Sequence, residues 1–198
     1  MKKIALIITF FLISSIASSV EKVIVVAIVN NFSITNIDIM NEIKLIQVLN
    51  NNIGAPNDIL KEAAIKNLVD DIVKSEEVKA NNIEIDSKII RKKYSEILRQ
   101  INEKTNNTSE SIKEKIYSKI KLDYEWNSLV SKKYYWNINI NMDEINEQIK
   151  EKKFEVQEAD KRLALKETLI EIEKNKKIQV YAGNYLDKIK KQALIKKF

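Results

Sequence analysis

The β-branched run Val23–Asn30, near the start of the chain, and the alternating tail Ala193–Phe198, at its end, constrain the fold more than anything between them. Lys22–Asn30 reads KVIVVAIVN: short, rich in valine and isoleucine, bounded by polar residues. Length and composition favour a strand over a helix there. In the tail, Leu194, Lys196 and Phe198 alternate with Ala193, Ile195 and Lys197. That pattern suits a strand as well as a helix end. A two-stranded ribbon is marginal alone but viable when packed on helices. The expected fold is therefore mainly α: a multi-helix core with a small two-stranded sheet formed by the N-terminal and C-terminal segments of the mature chain.

The stretch between them has helical spacing throughout. After a turn at Asn30-Asn31-Phe32, Thr35 reads as an N-cap with Asp38 three positions on, where its carboxylate suits the exposed N–H groups. A helix over Asn36–Asn50 puts Ile39, Ile43, Ile46 and Leu49 on one face, widened by Met40 and Leu45. The loop Asn50–Pro56 holds Gly54 and Pro56 as breakers. A second helix over Asn57–Ala80 carries a stripe of Leu60, Ala64, Leu68 and Ile72, flanked by Ile65, Val69 and Val73. Asp86 caps a third, Ser87–Glu103, with Ile90, Tyr94, Ile97 and Ile101 at three-to-four spacing. Past the polar linker Lys104–Ser109, a fourth runs from Glu110 to Tyr135, with Ile112, Ile116, Ile120, Trp126, Val130 and Tyr134 inward. Asn141 or Asp143 caps a short helix reaching Lys152, and a long one covers Glu158–Lys191. In the long helix Leu165, Leu169 and Ile172 face inward early, and Ile178, Ala182, Tyr185 and Ile189 late. The phase changes near Asn175, which predicts a bend or break. Gly183 reads as a close helix contact or as a weak point costing about 1 kcal/mol against alanine.

Ahead of all this, Met1–Ser19 has the three parts of a secretory signal peptide: Lys2 and Lys3, the apolar run Ile4–Ile16, then Ala17, Ser18 and Ser19. The apolar run, about 13 residues, is short of the roughly 20 that a spanning helix needs. Glu21 and Lys22 interrupt it before the next apolar stretch. The pattern fits cleavage after Ala17 or Ser19. No cysteine follows, so a lipid anchor is excluded. The expected organisation is a signal over 1–19 and one helical domain over 20–198, in the periplasm of a Gram-negative cell. The mature chain keeps 32 basic against 28 acidic side chains, too small an excess to argue for nucleic acid.

The chain has no histidine and no cysteine. That removes Ser-His-Asp and Cys-His catalysis, imidazole or thiolate zinc sites, and the usual proton carrier near neutral pH. Two glycines, Gly54 and Gly183, cannot form a phosphate-cradling loop. The acidic residues sit in Lys/Glu/Asn mixtures and read as solvated helix faces. The chain is therefore read as no enzyme, with no cofactor and no metal.

Four segments together resemble a known family. They are VVAIVNNFSITNIDIMNEI (Val25–Ile43), IKNLVDDIVKSEEVKANNIEID (Ile65–Asp86), LDYEWNSLVSKKYYWNININMDEI (Leu122–Ile145) and NYLDKIKKQALIKKF (Asn184–Phe198). In this order they resemble the N-terminal domain, C-terminal helix and C-terminal strand of SurA-type periplasmic chaperones. The resemblance covers most of the mature chain and rests on apolar and cap positions. It implies a chaperone core whose C-terminal end folds back onto the N-terminal domain. Only Asn137–Gln157 lies between the matching parts, far too short for the parvulin-type isomerase domain of such proteins. Parvulin sites also rely on histidines, which this chain lacks.

The resemblance implies an ATP-independent holdase for unfolded outer-membrane proteins, without prolyl isomerase activity. The alternative is a non-catalytic periplasmic adaptor or structural module for one partner. A holdase needs accessible apolar surface with a polar rim. Candidate client contacts are Met40, Tyr124, Trp126, Tyr134, Tyr135, Trp136 and Phe154, because aromatics combine large area with a polar edge. Trp126 lies on an apolar helix face and reads first as core. Tyr134, Tyr135 and Trp136 are consecutive and cannot share one face, so at least one is exposed. Lys188, Lys190, Lys191, Lys196 and Lys197 form a basic end. It reads as a solvated face, with weak attraction to the anionic lipid of a membrane surface or to acidic clients as the lesser alternative.

Overall fold

The computed structural model describes residues 22–50, 56–103, 108–151 and 159–198. The signal-like Met1–Ser19 and the candidate contact Phe154 lie outside them.

The two ends of the chain meet. Strand β1 (Val25–Val29) pairs antiparallel with β3 (Ile195–Lys197), matching Ala27 with Lys197, Ile28 with Lys196 and Val29 with Ile195. A third strand, β2 (Phe32–Thr35), joins on the other side of β1, so the sheet order is β2-β1-β3. The sequence pattern predicts only a turn and a cap there. Phe32–Thr35 is short and half polar, and it becomes a strand because Ile34 pairs with Ala27 and is buried beneath the sheet. A bulge between Val25 and Ala27 interrupts the ladder.

Thr35 then starts α1 (Asn36–Asn50) through the expected reciprocal cap. The Thr35 N–H and Oγ1–H donate to Asp38 Oδ2 at 2.8 and 2.7 Å, and the Asp38 N–H donates to Thr35 Oγ1 at 3.2 Å. Next come α2 (Asn57–Ala80), α3 (Ser87–Asn102) and α4 (Glu110–Tyr134). A 3-10 turn over Tyr135–Asn137 leads to α5 (Met142–Glu151) and α6 (Ala159–Lys190). Asp86 caps α3 by accepting from the Lys88 N–H at 2.8 Å. At the start of α5 the cap is Asn141, whose Oδ1 accepts from the Asp143 N–H at 3.1 Å.

Three apolar clusters hold these elements together. The first lies under the sheet: Ala27, Val29 and Ile34 meet Ile39 of α1, Ala64, Val69 and Val73 of α2, and the end of α6. In the second, Val78 of α2 meets Trp126, Leu129 and Val130 of α4 and Ile178, Ala182 and Tyr185 of α6. The third joins Leu45 of α1 to Ile90 and Ile101 of α3 and Ile112, Ile116 and Ile120 of α4.

Helix α1 serves two clusters, which rotates its buried side away from the expected stripe. Leu45 is fully buried while Leu49 is exposed. Helix α6 runs unbroken through Asn175. Its apolar phase changes because its partner changes: α6 touches α5 as well as α4 and α2, and its buried residues begin only at Ile178. Ile172, expected inward, is exposed. A Cβ built on Gly183 would meet nothing within 4 Å, so this glycine serves no close contact.

Candidate functional site

Helices α2 and α4 lie side by side and leave a groove of ≈ 780 Å³ between them. Its floor is apolar. Leu68, Ile72 and Val78 come from α2, Tyr117 and Leu122 from α4, and Phe32 from β2. Leu68 and Ile72 belong to the stripe expected at the centre of α2. Leu60 and Ala64 of that stripe are buried as expected, but the buried side continues through Val69, Val73 and Val78, leaving Leu68 and Ile72 half-buried at the groove.

One end of the groove is shaped by the way α2 stops. Asn82 has φ 50°, a left-handed conformation that asparagine tolerates better than other side chains. Around it, the Ile83 N–H donates to the Val78 carbonyl at 3.3 Å and the Asn82 N–H to Lys79 at 3.1 Å. This is a Schellman termination, whose usual apolar contact joins the residues here occupied by Ile83 and Val78. It brings Ile83 and Glu84 to the groove wall.

The polar wall is a set of ion pairs. Lys119 of α4 reaches Glu42 of α1 at 3.0 Å and Asp71 of α2 at 2.5 Å. Glu42 is only 1% exposed, and Asn67 Nδ2 also donates to it at 3.1 Å. This carboxylate is no solvated face: it links α1 to α2 and α4 at the join of the clusters. Burial pushes the Asp71 carboxyl above its ordinary value, an effect the neighbouring Lys119 only partly offsets. Burial alone would lower the Lys119 ammonium. The charges and hydrogen bonds of Asp71 and Glu42 outweigh it and hold Lys119 above its ordinary value. Lys121 pairs with Glu125 at 2.5 Å along the same helix. Glu76, at the groove beside Phe32, accepts from Asn30 Nδ2 at 2.6 Å.

The aromatic candidates lie elsewhere. Trp126 is buried and stacks on Tyr185, with centroids 5.4 Å apart and planes within 6°. Tyr134 stacks on Tyr181 at 4.8 Å and meets Tyr185 edge-on at 6.0 Å. These rings join α4 to α6; Tyr185 also hydrogen-bonds Glu77 of α2, and Lys133 sits 4.6 Å over its ring. Tyr124 is half-buried against the third cluster, and Met40 is half-buried on α1. Tyr135 and Trp136 point outward as an edge-to-face pair at 5.0 Å, with Trp136 92% exposed. None of these candidates lines the groove. The basic end divides similarly: Lys190 turns inward to Asp70 at 2.5 Å, whereas Lys188, Lys191, Lys196 and Lys197 remain exposed.

No protein-family model matches the chain, and no curated protein is significantly similar to it. No helix among the described residues is long and apolar enough to cross a membrane. The groove residues Phe32, Leu68, Ile72, Tyr117, Ile83 and Leu122 were missed by reading each helix for one stripe. The available signal was a surplus: α2 has more apolar positions than one buried face can absorb.

Proposed function

We propose that this chain is an ATP-independent periplasmic holdase of the SurA type, binding unfolded outer-membrane proteins without isomerising their prolines. The observation that carries the reading is the apolar groove between α2 and α4, floored by six large apolar side chains and walled by ion pairs. Its volume suits a few side chains of a client rather than a folded surface. A barrel-forming strand alternates apolar and polar residues. Such a strand laid along the groove turns its apolar row to Leu68, Ile72 and Leu122 and its polar row to the charged rim. Occupying the unfolded state in this way competes with its aggregation by mass action, with no nucleotide needed.

The test is suppression of aggregation of a urea-unfolded barrel protein by residues 20–198 in molar excess. Leu122→Lys, at the half-buried groove floor, should lower suppression at least threefold while leaving the circular dichroism unchanged. If the wild-type chain does not suppress aggregation, and crosslinking from position 122 in cells captures one folded partner stoichiometrically, the adaptor reading replaces this one.

A further inference from the structure

The turn after α4 has features that the groove does not use. Trp136 is 92% exposed and Tyr135 58%, and Met142 adds exposed apolar surface at the start of α5. The turn is held rigidly. The Tyr181 hydroxyl donates to the Asn137 carbonyl at 3.1 Å, Ile138 packs into the cluster between α4 and α6, and Lys133 reaches back over the Tyr185 ring. The two exposed rings are therefore presented on a fixed base, already paired edge to face.

What such a tip fits follows from its shape and charge. A ring exposed to this degree, with Tyr135 beside it, is not enclosed, so it cannot grip a peptide as a groove does. It can enter a soft surface. Tryptophan and tyrosine favour the boundary between lipid headgroups and acyl chains, where an apolar body and a polar edge are both satisfied. From Trp126 to Met142 the chain carries no acidic side chain. Lys132 is exposed in the last turn of α4, and Lys174 and Lys177 lie one to two helical turns before Tyr181 on α6. Glu173 lies among the lysines of α6, Glu77 of α2 faces Tyr185 and Lys133 on the inner side, and Asp143 and Glu144 begin α5 beyond the aromatic pair.

We infer that Tyr135 and Trp136 form an interfacial anchor that docks the molecule reversibly on a phospholipid surface, with Lys132 favouring anionic headgroups. This docking is separate from client holding in the groove. Tryptophan emission tests it directly, because the chain has two tryptophans and Trp126 is buried. Vesicles of phosphatidylethanolamine and phosphatidylglycerol added to residues 20–198 should shift the emission several nanometres to the blue and co-sediment the protein. Trp136→Ala should abolish the shift and reduce co-sedimentation about tenfold. Lys132→Glu should weaken binding to these vesicles several-fold but not to pure phosphatidylcholine. Circular dichroism of both variants should match wild type, since neither side chain is buried.

Absence of a shift and of co-sedimentation overturns the inference. So does a shift that survives Trp136→Ala. If Trp136→Ala lowers aggregation suppression in lipid-free solution and leaves vesicle binding intact, the tip contacts client protein and the inference is again overturned. Failure of the holdase assay alone leaves the vesicle result standing.

Discussion

Asn30 ties three parts of the molecule at once. It takes φ 51° in the two-residue turn between β1 and β2. Its Nδ2 donates to Glu76 of α2, its Oδ1 accepts from the Leu194 N–H at 2.9 Å, and its own N–H donates to the Leu194 carbonyl at 2.8 Å. Asn30→Ala keeps the last bond, loses the other two and strains the turn, so a urea melt should show a loss of about 2 kcal/mol. Asn30→Gly, which relieves the strain, should lose less. Lys119 is the other decisive residue. Lys119→Met leaves Glu42 buried without its cation and should cost about 3 kcal/mol. Because folding raises the Lys119 pKa above 10.5, its stabilisation is complete below that pH and lost as pH rises through the folded value. Wild-type stability should therefore decline above pH 10.5 more steeply than that of Lys119→Met. Caps such as Thr35 and Asp86 were readable in the sequence because a cap is a local bargain between neighbours. Glu42 was not, since its partners Asn67 and Lys119 arrive from distant positions and only the fold assembles them.

At the scale of the element, the helices were readable wherever one partner covers one face. Helix α3 shows this: Ile90 and Ile101, named from spacing, are buried, and Tyr94 packs edge-on against Tyr117 at 5.5 Å. Helices with several partners departed from a single stripe. In α1 two clusters share the buried side, in α2 the surplus became a groove floor, and in α6 a change of neighbour imitated a break. Strand β2 was invisible because its conformation depends on β1 rather than on its own four residues. Gly183 belongs to this scale as well. It sits inside continuous α6 with open space where a side chain would go. Gly183→Ala should stabilise the protein by about 0.5–1 kcal/mol, read as a higher thermal midpoint with an unchanged circular dichroism spectrum.

For the whole molecule, the readable part was closure of the chain by its two ends, from β-branching near the start and alternation at the finish. The candidate site was far less readable. The aromatics flagged by type divided into core rings and an exposed tip, while the groove formed from ordinary Leu and Ile residues left over by helix packing. Removing Ala193–Phe198 deletes β3, uncovers the β1 edge and returns Ile195 to water. That truncation should cost about 2–3 kcal/mol, and hydrogen exchange at Ala27–Val29 should accelerate most.

The pairing of β1 with β3 also sets a clock. Strand β1 waits for a partner made long after it, with α1 to α6 in between. Contacts so remote in sequence form late. During synthesis, then, β1 keeps one edge open until Ile195–Lys197 has been made. A nascent chain stalled before Ile195 should exchange its amide hydrogens at Ala27–Val29 faster than one extended well past Lys197.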